Sequence, residues 1–285
     1  MPTYKNKENW VNGVSYLTPG FHSDVVWLED QRDYAETLMG TMKQHLTVCR
    51  FDTDFGVFLH ELTYLKPYLD KYPEERAFVR ELIAEGRAGT AGSHSQPSET
   101  LIDGEFIIRN ILYGRLYHEK CLKDTPIVYM PYDVFGHCNQ LPQILAKSRF
   151  KCAMWSKPIW GCHTLMHQIA PDGTDLLVAR IHYMLTAHRP RDPETGKRPP
   201  VHSIEEIYDM IVDSYQEPHT LGLSCNALFD CFDFKPPTGF YAGLSAELRD
   251  RPHKVLISGT AHRKFVESSI KDIEEKDLEL PVTAR

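Results

Sequence analysis

The sequence predicts an α/β fold, specifically an irregular seven-stranded parallel β/α barrel formed by a single domain spanning residues 1–285. Strand-like and helix-like segments alternate along all 285 residues, as in a parallel sheet covered by helices. About seven or eight strand–helix steps can be counted, which favours a closed barrel over an open sheet. In either architecture the chemistry is expected at the carboxyl ends of the strands.

The first half of the chain accounts for four predicted strands. Short apolar runs predict strands at residues 14–21, 47–51, 88–95 and 126–129. Apolar residues at helical spacing predict helices at residues 25–46, 56–68, 73–86 and 104–122, and another that begins near Leu141. The helix at residues 73–86 has the expected start and stop signals, because it opens on a proline and two acidic residues and ends on a glycine.

The second half of the chain continues the same alternation. Strands are predicted at residues 151–156, 176–183, 221–229 and 254–257. Helices are predicted at residues 203–215, 239–249 and 263–275. Ser203 and Glu206 match a capping box at the start of the first of these helices. Residues 189–200 combine several prolines with charges of both signs, which predicts an exposed loop.

Composition and charge argue against several classes of protein. The net charge of −7 argues against nucleic acid or an anionic membrane as a partner. We expect a cytoplasmic protein, because no segment is apolar enough to span a bilayer and residues 1–10 lack the apolar core of a secretion signal. Seven cysteines without a C-x-x-C pair predict neither a disulfide framework nor a zinc–thiolate site. Whether the chain forms a homo-oligomer is left open.

Polar side chains follow the predicted strands, and a barrel brings all of its strand ends to one rim. These residues are His22, Asp24, Asp52, Asp54, Ser95, Gln96, Glu99, Asp133, Lys157, Asp230 and Asp233. Carboxylates together with an imidazole predict a metal site, a catalytic carboxylate pair, or both. Phosphate-binding glycine loops, H-E-x-x-H and G-x-S-x-G motifs are absent from the sequence.

Asp133 lies between an apolar strand and the helix predicted to begin near Leu141. Helix amides and the helix dipole would keep its carboxylate ionised, which suits a nucleophile or a metal ligand. The alternative is that Asp133 only caps the helix. Asp133 and Asp233 are candidates for the pair of carboxyl groups that glycosidic cleavage requires. Sugar rings stack on aromatic side chains, and Trp27, Tyr132, Phe135 and Trp155 lie near the predicted rim. For Tyr132 and Trp155, packing in the core is the favoured explanation.

Two segments carry a resemblance to a known family. The first is Phe21-His22-Ser23-Asp24-Val25-Val26-Trp27, and the second is Tyr132-Asp133-Val134-Phe135-Gly136-His137, followed by Leu141-Pro142. They resemble the first-strand motif and the D-x-F-G-H segment of the α-mannosidases of glycoside hydrolase family 38. The resemblance implies that His22, Asp24 and Asp133 bind one Zn²⁺ per chain, that Asp133 is also the nucleophile, and that Trp27 lies beneath the mannose ring.

Weaker similarities follow in the family's order at residues 85–99, 171–173 and 229–233. By this similarity Asp233 is the acid/base, with Asp230 as its competitor. Lys157 stands where many members place an arginine toward the substrate, so the charge is kept and the bidentate fork is lost.

Other departures concern the ligand set. Gly20 stands where the family often has a further histidine, and the proline and glycine before its tryptophan are Val25 and Val26 here. Family members continue beyond the barrel, and their fourth zinc ligand, a histidine, lies in that continuation. His253 and His262 do not match its spacing. We therefore expect an N-terminal part of a longer enzyme, whose site is one ligand short within this chain.

The implied reaction is retaining hydrolysis of terminal α-mannosides, with an oligosaccharide or glycoside as substrate and carboxyl groups roughly 5 Å apart. One histidine with carboxylates would also accept divalent ions other than Zn²⁺. Two alternatives stay open. One is a metal-dependent carbohydrate deacetylase, and the other is an inactive carbohydrate-binding fragment that lacks one metal ligand.

Overall fold

Ten strands and nine α-helices lie within the residues that the computed structural model describes, which are 12–157, 163–181, 185, 203–233, 235–237 and 240–283. The strands are β1 Val14–His22, β2 Val57–Phe58, β3 Ala88–Gly89, β4 Val128–Tyr129, β5 Cys152–Trp155, β6 Leu165–Ile169, β7 Asp175–Arg180, β8 Cys225–Asp233, β9 Lys254–Ile257 and β10 Val282–Thr283. The helices are α1 Gln31–Phe51, α2 Leu62–Lys71, α3 Glu75–Ala84, α4 Gly104–Tyr117, α5 Leu141–Lys147, α6 Ile204–Ser214, α7 Gln216–Thr220, α8 Phe240–Leu248 and α9 Ala261–Lys276.

The strands form two five-stranded sheets. In the first, all parallel, the order is β3-β2-β1-β8, and β9 pairs with the amino-terminal half of β1 on the side that also holds β2. In the second the order is β10-β6-β7-β5-β4, and β6 and β7 are antiparallel. Strand β1 pairs with β8 along its whole length, so that His22 lies opposite Asp233.

The structure confirms the α/β class but not the seven-stranded parallel barrel. A backbone hydrogen bond from Met130 N to Ala91 O (3.0 Å) links the β3 and β4 ends of the two sheets. No continuous strand pairing closes the sheets within the described residues. The antiparallel pair has a local cause, because only the short turn after Ile169 connects β6 to β7, and such a turn can join antiparallel strands but not parallel ones.

Alternate residues of the strands face a core that the two sheets share. Phe58, Val128, Met154 and Phe229 belong to this inner core. The other faces of the strands of the first sheet pack against helices, chiefly α1, α2 and α6. Since side chains alternate along a strand, residues that continue the inner series reach the carboxyl-terminal rim.

Several boundaries differ from the prediction. The predicted strand at residues 47–51 is wrong, because α1 continues to Phe51 and buries Leu46 and Cys49 on the same face as its earlier turns. This helix starts at Gln31 rather than at residue 25. Asp30 is its N-cap, and the Asp30 carboxylate accepts hydrogen bonds from two backbone amides of the first turn. The second strand is instead β2, inside the predicted helix at residues 56–68.

The later part of the chain shows shifts of the same kind. Strand β8 begins and ends four residues after the predicted strand at 221–229, and α7, β6 and β10 were not predicted. Elements β1, α3, α4, α6, β9 and α9 are confirmed to within a few residues, and Ser203 caps α6 as expected. The predicted loop at residues 189–200 lies outside the described residues.

Two absences were also expected from the sequence. The described helices include none that is both long and apolar enough to cross a membrane. The cysteines described by the structure are free. The cytoplasmic location stays a prediction.

His45 should make the stability of the fold depend on pH. Its Nε2 donates to the Lys235 carbonyl oxygen at 3.0 Å, and burial lowers its pKa from 6.5 to about 4. Below the unfolded pKa the unfolded chain binds a proton that the folded chain does not. The stability that the buried, neutral His45 contributes to the fold is therefore fully present above about pH 6.5 and is lost as the pH falls toward about 4.

The His45→Gln variant keeps an N–H donor and removes the titration. We expect it to flatten the fall in the free energy of unfolding between pH 6.5 and 4, measured by urea denaturation. An identical pH dependence in both proteins would contradict this assignment.

Candidate active site

His22 lies at the carboxyl end of β1, at the centre of a group of polar side chains. It is buried, and its Nδ1 is 3.9 Å from Oδ1 of Asp233, the last residue of the neighbouring strand β8. The rings of His60 and Tyr132 lie 5.2 Å and 6.2 Å from the His22 ring. The predicted His22 and Asp233 are thus brought together by strand pairing.

The charges around His22 act on one another. Burial is the largest influence on His22 and lowers its pKa, while the carboxylates of Asp233, Asp133 and Asp24 oppose this. The lowered pKa favours the neutral imidazole, which is the form that binds metals. Burial is also the main cause of the raised pKa of Asp24, which Asp233 and Asp133 raise further and the charges of His22 and Lys157 lower. These side chains therefore form one electrostatic cluster.

Asp133 lies in the loop after β4 and does not cap a helix. Helix α5 begins only at Leu141, with Gln140 at its N-cap position, so the expected stabilisation of Asp133 by helix amides is wrong. Its carboxylate instead forms an ion pair with the ammonium group of Lys157. The group beside the Asp133 carboxylate is therefore the Lys157 side chain rather than the amides of a helix N-terminus.

The predicted substrate-binding residues lie close to this ion pair or are exposed. The Lys157 ammonium is 4.4 Å from the centroid of the Phe135 ring. Phe135 is 75% exposed and Trp27 is 66% exposed, so both rings are accessible to a ligand. Neither ring is part of the core, in contrast to Tyr132 and Trp155, which are buried.

The structure separates the two competing aspartates of β8. Asp230 lies inside the strand rather than after it, and is buried, with Lys235 Nζ at 3.0 Å and a hydrogen bond from the Tyr241 hydroxyl. Being three residues apart, Asp230 and Asp233 point to opposite faces of the strand. Asp233 is therefore the aspartate that reaches His22.

Other predicted rim residues lie elsewhere. Asp52 and Asp54 follow α1 rather than a strand, and Asp54 pairs with Arg249 at the surface. Ser95 donates to Asn110 Oδ1 at 2.8 Å and lines a groove of about 550 Å³ beside α4. His253 is hydrogen-bonded to Ser15 at the opposite end of β1, as expected of a residue outside the site.

Two histidines of this region had no role in the sequence-based prediction. His60 follows β2, has a positive φ of 62° and stacks on Tyr132 with 5.3 Å between ring centroids. Gln96 connects both residues, since its Nε2 lies 3.3 Å from His60 Nε2 and its Oε1 accepts a hydrogen bond from Tyr132 N. His60 could have been found from the apolar run before it, had the second strand been placed at residues 57–58. The second histidine that the sequence-based prediction gave no role is His137.

The residues fit a metal by donor type rather than by their present arrangement. An imidazole and two carboxylates from His22, Asp24 and Asp133 are ligands that Zn²⁺ accepts. The described residues include no group of three histidine, cysteine or acidic side chains close enough together to hold a metal ion.

Solved structures share this fold. An α-mannosidase from Enterococcus faecalis V583 superposes with a TM-score of 0.75 at 17% identity, over 95% of this chain and 30% of that chain. A putative polysaccharide deacetylase from Mycobacterium smegmatis has a TM-score of 0.59 at 11% identity, over 99% of this chain and 96% of that chain. Identities this low show the fold alone, which is an α/β fold.

The sequence itself defines the family. The N-terminal domain of glycosyl hydrolases family 38 matches residues 13–225, about three quarters of the chain. The chain therefore belongs to glycoside hydrolase family 38 and is α-mannosidase-like, as the two motifs had indicated.

Curated relatives agree with this family. A putative mannosylglycerate hydrolase of Halalkalibacterium halodurans is 28% identical over 51% of this chain. Mouse (Mus musculus) alpha-mannosidase 2x is 21% identical over 77% of this chain. The matched regions span only 16% and 18% of those proteins, so the similarity covers less than a fifth of their length.

Proposed function

We propose that this protein hydrolyses terminal α-mannosides with retention of configuration, using Asp133 as nucleophile and Asp233 as acid/base. The observation that carries the proposal is the cluster at the rim, in which Asp233 lies 3.9 Å from the buried His22 and Asp133 pairs with Lys157. Two carboxyl groups on opposite sides of a glycosidic bond are the minimal equipment for this reaction.

The two aspartates have environments suited to different roles. A nucleophile has to be ionised, and Asp133 is paired with a lysine ammonium. An acid/base has to exchange protons with solvent, and the side chain of Asp233 is about half exposed beside His22.

In the first step, the Asp133 carboxylate attacks the anomeric carbon while Asp233 donates a proton to the leaving oxygen. In the second step, Asp233 accepts a proton from a water molecule that displaces Asp133 from the sugar. Two inversions at the same carbon give net retention.

His22, Asp24 and Asp133 would hold a divalent cation such as Zn²⁺. When bound, the cation would supply positive charge that grips sugar hydroxyl groups. Trp27 and Phe135 would stack on the sugar, and Lys157 would orient Asp133 and the nearest hydroxyl group. The single-domain assignment for residues 1–285, as part of a longer enzyme, belongs to the same proposal.

A metal-dependent carbohydrate deacetylase is the second candidate, because the fold similarity to a putative polysaccharide deacetylase covers nearly all of both chains. Both can be tested on one preparation by offering an aryl α-mannoside and an acetylated sugar, with and without added Zn²⁺, and following products by proton NMR. The proposal predicts that the α-anomer of mannose appears first. Free acetate without a reducing sugar would instead support the deacetylase, and binding without turnover would support a carbohydrate-binding fragment.

A further inference from the structure

His137 connects a buried carboxylate to the backbone of Lys157. Its Nδ1 lies 2.9 Å from Oε2 of Glu99, and its Nε2 lies 2.9 Å from the carbonyl oxygen of Lys157. The ring stacks on Trp155, with 4.0 Å between centroids and 19° between planes. Both ring nitrogens and one ring face are thus held by neighbours.

Glu99 is itself held by a second strand. Its side chain is fully buried, and its Oε1 accepts a hydrogen bond of 2.8 Å from the Tyr129 hydroxyl of β4. Burial and the adjacent Glu99 raise the pKa of Tyr129 well above its ordinary value, so Tyr129 remains a donor. The position of Glu99 is therefore fixed independently of the rim.

The hydrogen-bond partners constrain where the protons are. The Lys157 carbonyl can only accept, so Nε2 of His137 must carry a hydrogen. Nδ1 then either donates to the Glu99 carboxylate or accepts from its protonated form. The pair has zero net charge in both cases, and in both cases His137 donates to Lys157.

Lys157 connects His137 to Asp133, the proposed nucleophile. It lies two residues after the end of β5, and its ammonium pairs with Asp133 above the Phe135 ring. A fixed carbonyl at Lys157 restricts where its side chain starts, and hence where the Asp133 carboxylate is held.

We propose that His137 is a positioning residue, which fixes the backbone of Lys157 so that its ammonium holds the Asp133 carboxylate in one orientation. The effect on turnover rests on the proposed function of Asp133, whereas the effect on the ion pair does not. The rival explanation is that the buried pair only stabilises the fold.

Two amide variants separate these explanations. In His137→Gln the amide nitrogen reaches the place of Nε2 and keeps the bond to Lys157. In His137→Asn it reaches the place of Nδ1 and keeps the bond to Glu99. Leaving buried Glu99 without its partner costs more stability than leaving a carbonyl without one. A purely structural role therefore predicts that His137→Gln is the less stable of the two variants.

Positioning predicts the reverse order for catalysis. We expect kcat to fall about 100-fold in His137→Asn, since displacement of a catalytic group by about 1 Å has that cost, and less than about 10-fold in His137→Gln. KM for an aryl α-mannoside should change little in either variant. His167→Asn, which keeps a donor at the place of Nδ1 toward Asp175 in a partly exposed pair, is the control and should match the wild type. Equal kcat values for the two His137 variants, or a lower value for His137→Gln, would overturn the proposal.

Crystal structures of the two variants give a readout that needs no activity. The contact between Lys157 and Asp133 should persist in His137→Gln and be lost in His137→Asn. The same contact in both variants would overturn the proposal, even if the protein proved to have another activity. Absence of α-mannoside hydrolysis by the wild type would refute only the proposed function.

Discussion

Turnover of an aryl α-mannoside should fall by about 10⁴-fold or more when Asp133 is replaced by Asn, since removal of a nucleophile costs at least that much. The amide cannot attack the anomeric carbon, and it leaves the Lys157 ammonium without its carboxylate partner. Divalent metal binding should weaken in the same variant, because an amide is a poorer ligand than a carboxylate. Both effects can be measured with steady-state kinetics and metal titration.

Asp54→Asn is the matched control for this substitution. Asp54 belonged to the same predicted set of rim residues, but it lies at the surface and pairs with Arg249. We expect its kcat and metal affinity to equal those of the wild type. Full activity in Asp133→Asn would show that the nucleophile has been assigned to the wrong residue.

The second large effect is expected for Asp233→Asn, which should lower kcat about 10²- to 10⁴-fold, the usual contribution of an acid/base. The loss should shrink for an aryl group that departs without protonation, because the acid is then no longer needed in the first step. Metal affinity should stay unchanged, in contrast to Asp133→Asn.

The Asp230→Asn variant tests whether Asp230 has a structural role or the acid/base role. Asp230 is buried with Lys235 and Tyr241 on the other face of β8, so its replacement should lower stability and affect all substrates alike. If Asp230→Asn rather than Asp233→Asn depended on the leaving group, the two roles would have to be exchanged.

The strand ends were predictable where a strand was long and its polar residues followed directly. Strand β1 has nine residues, and His22 and Asp24 fall where the sequence put them. The two-residue strand β2 gives too short an apolar run to be told from a helix, and its end carries the unpredicted His60. Similarly, the pair of apolar runs around the turn at Gly173 had the pattern of a hairpin, yet only the second run was assigned as a strand.

The partners of the site residues were less predictable than their positions. Asp133 was expected to interact with helix amides, but the structure pairs it with Lys157, which comes from a different strand end. The same is true of Glu99 and His137, which are 38 residues apart in sequence and meet in space. Such pairs depend on how strands are arranged around the core, and local sequence patterns carry no information on that.

Covalent trapping of the enzyme is the most direct test of Asp133 as the nucleophile. A fluorinated α-mannosyl substrate that reacts rapidly and is released slowly should label the protein with one sugar, located by peptide mass spectrometry. We expect the label on Asp133 and no label in Asp133→Asn. A label on Asp24 or Asp233 instead, or hydrolysis that yields the β-anomer first, would contradict the proposed mechanism.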